Sequence, residues 1–276
     1  MKKFFLLATL GLLAVSCGKE QAPKILVLYY SQGGTTKVVA QQIQSLLGAD
    51  IEVIEPVLPY DGDFQATIER GKKELDSGFL PDIQPLKSDI ASYDIIFLGY
   101  PVWFGTYAVP VSTVLATVDL KGKKIVPFCT FGSGGLESSI DQIKEKLPES
   151  EILPGYGVRA ARIDAVPAEM EQFLKAGGFL AGEPVVLEDF SESKPVTEEE
   201  AALFDAAVDG YPMLHAKAEE AASRPVPGGT EYLFTARDLP REMPGAPGNP
   251  PAELRTMKVY VLAQDGQAPV FTRVVR

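Results

Sequence analysis

The sequence predicts a doubly wound α/β domain built on a five-stranded parallel sheet, followed by a smaller α+β domain. Two features predict the first part. Short, continuous apolar runs recur between Lys24 and Gly182, and unbroken apolar strands are those buried on both faces. Amphipathic stretches with helical spacing separate them, the alternation expected when helices cover both sides of a sheet. A shift after Gly182 to an acidic, alanine-rich stretch and then alternating strands predicts the second part. At 276 residues the chain is comfortable for two domains.

The chain opens with a segment that reads as a leader. Lys2 and Lys3 precede an apolar run, Phe4–Leu13, too short to anchor stably across a bilayer. It ends in Ala14-Val15-Ser16-Cys17, which resembles a bacterial lipoprotein signal, although Ala14 stands where Leu is more usual. Residues 1–16 are then a signal peptide, Cys17 is the lipidation site, and 17–23 is a tether to the cell envelope, facing the periplasm or the surface. An ordinary secretory leader with a chance Cys is the alternative. Acyl chains on Cys17 would anchor the protein durably, each buried CH₂ contributing about 0.8 kcal/mol.

The elements follow in order. Lys24–Tyr30 is an apolar strand and Thr36–Leu47 a helix, with Val38, Val39, Ile43, Leu46 and Leu47 at helical spacing. Asp50–Glu55 is a second strand. Asp63–Ser77 is a more polar helix closed by Gly78, with Arg70 and Glu74 at i,i+4, worth about a few tenths of a kcal/mol on an exposed face. Strands Asp94–Gly99, Lys124–Cys129 and Ile152–Gly157 alternate with helices Val109–Val118, Leu136–Lys146 and Ala168–Phe179. Thereafter Thr197–Ala221 reads as one helix, kinked near Gly210-Tyr211-Pro212. Glu231–Arg237, Thr256–Ala263 and Val270–Val275 read as strands, and Asp238–Pro251, rich in Pro and Gly, as a long loop.

Composition excludes several functions. The formal charge is −11, and losing the two leader lysines makes it −13, so nucleic acid is repelled. The single histidine, His215, leaves no Cys/His metal spacing. With Cys17 acylated, Cys129 is the only remaining thiol, placed at the end of a central strand as a buried, inert group. No catalytic acid/base pair stands out.

Ligands bind doubly wound sheets beyond the carboxyl ends of the strands, and three loops there carry the chemistry. Tyr30-Ser31-Gln32-Gly33-Gly34-Thr35-Thr36-Lys37 offers glycine backbone, hydroxyls and a helix N-terminus to an anion; a plain strand-to-helix turn is the alternative. Tyr100–Tyr107 holds the only Trp, Trp103, with further aromatics, as a flat ring system needs for stacking; a hydrophobic loop packed on the helices is the alternative. Thr130-Phe131-Gly132-Ser133-Gly134-Gly135 allows close approach of backbone to a ligand, or is a glycine turn.

Together these loops resemble the flavodoxin family, strongest to short-chain forms with a Gly-Tyr-Pro-x-Trp loop. The carrying residues are Ile25–Ser31 with Gly33–Thr36, Tyr93–Trp103, and Gly122–Thr130; the resemblance covers roughly Lys24–Gly182. It implies a flavodoxin-like fold over 24–182 with noncovalent FMN as cofactor. On that model Ser31, Gln32, Gly33, Gly34, Thr35 and Thr36 hold the phosphate. Pro101, Val102, Trp103, Phe104 and Gly105 line the isoalloxazine. Thr130, Gly132, Ser133 and Gly134 close its far side and pyrimidine edge, with Phe131 covering the ring. Gln32-Gly33-Gly34 departs from the family's common Thr-Gly-Asn, and Phe131 from its common Ser. The implied role is electron transfer or FMN-dependent reduction, with a redox partner that is a protein or a small quinone-like molecule. The competing reading is a non-redox binding protein, its flavodoxin fold a scaffold and its C-terminal domain the recognition module.

Residues 183–276 resemble the cystatin-like α+β fold more weakly, on a helix followed by Arg224-Pro225-Val226-Pro227-Gly228-Gly229 and alternating strands. Arg224 stands where inhibitory cystatins have Gln, and no Pro-Trp hairpin appears near Gly266–Pro269. The expectation is therefore an interaction or structural module.

Overall fold

The structure, a computed structural model, describes residues 22–60, 63–239 and 255–276. The leader, Cys17 and most of the tether lie outside the described residues, as does most of the Asp238–Pro251 segment. Among the described residues no helix is long and apolar enough to cross a membrane.

Among the described residues six α-helices and twelve strands follow one another as β1 (Ile25–Tyr29), α1 (Thr35–Leu47), β2 (Asp50–Val53), α2 (Phe64–Ser77), β3 (Ile95–Trp103), β4 (Thr106–Tyr107), α3 (Val109–Thr117), β5 (Lys124–Phe131), α4 (Leu136–Lys146), β6 (Glu151–Ile152), β7 (Tyr156–Arg159), α5 (Val166–Ala176), β8 (Lys194–Pro195), α6 (Glu198–Val208), β9 (Ala216–Val226), β10 (Gly229–Asp238), β11 (Thr256–Gln264) and β12 (Val270–Val275). The first sheet runs β2-β1-β3-β5, with β6 and β7 sharing the outer edge of β5, all parallel. Pro154-Gly155 splits the expected fifth strand into β6 and β7. A Cβ on Gly155 would lie 2.8 Å from the carbonyl oxygen of Pro127 and from Ile140, so the chain passes too close for any other residue.

The pleat assigns side chains to two cores. Leu26, Leu28, Ile96, Leu98, Tyr100, Ile125 and Cys129 pack with residues of α3 and α4. Val27, Tyr29, Ile95, Phe97, Val126 and Phe128 pack with α1 and α5. At the centre, Gly99 pairs with Phe128. A Cβ on Gly99 would stand 2.1 Å from the Phe128 ring, so this position is glycine for space.

The second sheet is antiparallel, β12-β11-β10-β9-β8, and α6 packs on it through Phe204 and Ala207. Here the expected single helix over Thr197–Ala221 is corrected. The helix starts where Thr197 and Glu200 form a capping box and ends at Val208. Gly210 is left-handed at φ 72°, and Pro212 forbids continuation. From Ala216 onward Ala and charged residues alternate, with Ala216 and Ala218 buried and Lys217 and Glu219 exposed. That period suits a strand, and pairing with β10 overrides the helix propensity of alanine. His215 consequently precedes β9, its carbonyl accepting the Leu239 amide at 2.8 Å.

Arg224, at the far end of β9, is committed within the sheet: it pairs with Glu231 at 2.6 Å and lies over the Phe190 ring.

Substituting Gly99 by Ala forces the Phe128 ring out of its place. We expect a loss of about 1–3 kcal/mol, the usual range for overpacking, read as a lower urea midpoint; an unchanged midpoint would show that the ring can yield.

Candidate functional site

The strand order reverses between β1 and β3, where a doubly wound sheet opens a crevice. The loops after β1, β3 and β5 meet at that edge. The hydroxyls of Thr36 and Thr130, both buried, share a hydrogen bond of 2.8 Å, and the Thr35 hydroxyl donates to the same oxygen at 3.4 Å. Ser138 of α4 donates to the carbonyl of Gly105 at 2.7 Å. A Cβ on Gly135 would lie 2.6 Å from Val102. All three expected loops are thus one contiguous structure.

The first loop is an open cradle. α1 starts after Gly34, left-handed at φ 87°, which has no side chain to cap the helix. By contrast, Asp63 caps α2 and Thr197 caps α6. A Cβ on Gly33 or Gly34 would meet nothing within 4 Å, so there is room above the loop. Backbone amides before Lys37, the helix dipole and the Ser31 hydroxyl make a donor set suited to a phosphate. The Ser31 oxygen accepts the Lys37 amide at 3.2 Å, which leaves its proton to donate. Thr36 faces inward to Thr130. Gln32 is turned away: its amide donates to the Tyr60 carbonyl at 2.7 Å and its oxygen accepts from Tyr30. Only its backbone faces the cradle.

The second segment is not a plain loop. β3 continues through Trp103 and turns back as β4, with Val102 opposite Tyr107. Phe104 and Gly105 form the tip. Phe104 has φ 53° and its side chain is exposed, an uncommon conformation for a non-glycine residue and one that costs energy. Pro101, Val102 and Trp103 are half-buried.

Trp103 sits in an aromatic cluster the sequence did not announce. Its ring meets Tyr60 edge-on at 5.0 Å and Tyr30 at 5.8 Å. Tyr60 comes from the segment after β2. Arg70 lies 3.9 Å over its ring and binds the Pro59 and Leu58 carbonyls at 2.8 and 3.1 Å. Glu74, itself buried, accepts from Arg70 at 2.8 Å and from the Tyr60 hydroxyl. The Arg70–Glu74 pair is therefore a buried fastening of the site's wall, more than a surface helix pair. Burial pushes the Tyr30 and Tyr60 phenols well up, so both stay neutral. The apolar and aromatic run Val57-Leu58-Pro59-Tyr60 ahead of a helix was the available signal.

The third loop departs most from expectation. Phe131 shares the pleat parity of Cys129 and is buried in the core; Gly157 is glycine beside its ring, where a Cβ would lie 2.8 Å away. Its side chain packs into the core instead of lying over the crevice as expected, and the exposed aromatic there is Phe104. Gly132 and Gly134 face the second domain: a Cβ on Gly132 would meet the Tyr211 hydroxyl at 2.9 Å, and one on Gly134 the Val274 carbonyl oxygen at 2.0 Å. Ser133 accepts the Val274 amide on its carbonyl at 2.6 Å. A cleft of about 250 Å³ remains between Gly105, Ser133, Gly134, Val274 and Arg276. Another hollow, of about 580 Å³, lies by Lys24, Gly48, Asp50 and Asp94, at the opposite, amino end of the sheet, away from this chemistry. Burial pushes the Cys129 thiol well above 9.0, keeping it un-ionised.

A family model described as flavodoxin matches residues 24–168. Among solved structures, a flavoprotein of Bacteroides eggerthii is 31% identical over 52% of this chain and 94% of its own, with a TM-score of 0.46. The flavoprotein of Lactobacillus acidophilus in complex with FMN is 26% identical over 49% and 93%, with a TM-score of 0.45. A flavoprotein of Bacteroides uniformis is 24% identical over 54% and 97%, with a TM-score of 0.49. No match was found among curated proteins.

Replacing Glu74 by Ala leaves the Arg70 guanidinium half-buried without its carboxylate. We expect a loss of about 2 kcal/mol, less than for a fully buried pair, together with a red-shifted emission of Trp103, the chain's one Trp. Unchanged stability and emission would contradict the fastening role.

Proposed function

The chain belongs to the flavodoxin family, and from that premise we propose that it is an FMN-binding redox protein, an electron carrier or small-molecule reductase, held at the bacterial cell envelope by lipid on Cys17. The observation that carries the cofactor is the glycine-opened start of α1 beside the aromatic hairpin tip. Ser31, Thr35 and the amides of Gly33–Thr36 would hold the phosphate. Trp103, Phe104 and Gly105 would face the ring, and the backbone of Thr130–Gly134 its polar edge. When bound, FMN supplies the redox chemistry.

The protein's own contribution is orientation and electrostatics. The Tyr30–Tyr60–Trp103 cluster keeps water from one side. The net charge, −13 once the two leader lysines are lost, opposes adding negative charge to the ring and so lowers its tendency to be reduced. The lipid anchor rests on the Ala14–Cys17 pattern alone.

The approach of Val274 to Gly134 favours a second reading. In it the second domain occupies the third loop, and the fold serves as a scaffold for recognising a partner.

One purification separates the two. Protein expressed from Gly18 onward should be yellow, or take up added FMN, and release one FMN per chain on denaturation. Trp103→Ala should weaken FMN binding about tenfold, the scale of one lost stacking contact. A colourless protein that takes up no FMN would leave the scaffold reading standing.

A further inference from the structure

Arg159, the last residue of β7, is 9% exposed and touches both domains. Its Nε donates to the Gly132 carbonyl at 2.9 Å, and its Nη1 donates to the Phe271 carbonyl at 2.9 Å. One guanidinium thus ties the third loop to β12. It also lies 3.4 Å over the Phe271 ring, with the Tyr211 ring at 5.2 Å. Among the described residues no carboxylate lies within ion-pair distance; the charged side chain bearing on it is a second cation, Arg162. A buried cation satisfied by carbonyls and aromatic faces alone keeps its field, because no counter-charge cancels it.

The rest of the contact is built around the same loop. Val274 donates to Ser133, Gly134 admits the β12 backbone, and Arg273 pairs with Glu137 of α4 at 3.2 Å.

We propose that Arg159 is a positioning residue of the flavin site: it clamps the third loop to β12, makes the second domain part of the site's wall, and sets a positive charge behind the loop that favours electron uptake. This rests on the FMN reading above. It also divides the electrostatics: the acidic surface opposes reduction from a distance, across screening solvent, while Arg159 acts from a dry position.

The test compares wild type, Arg159→Gln and Arg159→Lys in the full chain. FMN affinity is read by fluorescence titration, reduction potential by spectroelectrochemistry, and amide exchange on the flavin-free proteins. Arg159→Gln should weaken FMN binding about tenfold or more, the scale of charged hydrogen bonds lost. It should shift the potential to more negative values and raise exchange over 131–135 and 270–275 together. Arg159→Lys should restore the potential, since it keeps the charge, but not the protection, since an ammonium cannot span both carbonyls as a fork does. A Gln variant with wild-type exchange, or one with loosened segments but an unchanged potential, overturns the proposal. If wild type itself takes up no FMN, the FMN reading fails and this proposal with it. If wild type binds FMN and the variants match it, this proposal alone fails.

Discussion

Parallel pairing obliges β1, β3 and β5 to end at the same edge of the sheet, and the rest of the molecule follows from that constraint. Because helices cover both faces, the residues of these strands are apolar or small apart from the exposed Lys124 that starts β5, and parity decides which core each side chain enters. The register Gly99–Phe128, Tyr100–Cys129, Pro101–Thr130 carries the pairing to the point where the polar loops start. Thr130, the last register partner there, turns its hydroxyl to Thr36 of the first loop. The crevice is therefore anchored by the sheet itself.

Legibility in the sequence followed the physics of each element. The central strands were plain because two-sided burial leaves an unbroken apolar run. α4, Leu136–Lys146, has the bounds its spacing predicts. The stretch to Ala221 is ambiguous in the sequence because alanine is a good helix former and a small strand residue alike. Its true signal was the period of two after Pro212, which matters only once β10 is there to pair. Phe131 was assigned to the crevice by its place in a loop motif, whereas counting parity from Cys129 puts it in the core. For Tyr60 the local run Val57–Tyr60 marks an apolar segment only; its role depends on Arg70 and Glu74 folding back over it, a contact between segments.

The glycines of the third loop carry the clearest lesson. A glycine marks close approach of something, but not of what. Gly33 and Gly34 face open space, as a ligand cradle requires, while Gly132 and Gly134 are filled by Tyr211 and the backbone at Val274. The same residue type therefore leaves open space in one loop and admits a neighbouring domain in another. In the proposed site, β12 adds a fourth wall to a crevice whose other three come from one sheet, next to a buried cation in an acidic protein.

The central claim is that one FMN sits across the three loops while β12 remains seated on Ser133. A crystal structure of the full mature chain grown with FMN tests it most directly. The account predicts density for the phosphate over Ser31–Thr36, the ring against the Trp103–Gly105 tip, and the Val274–Ser133 hydrogen bond intact. A ring bound elsewhere, a crevice empty at saturating FMN, or a β12 displaced to admit the ring would contradict it.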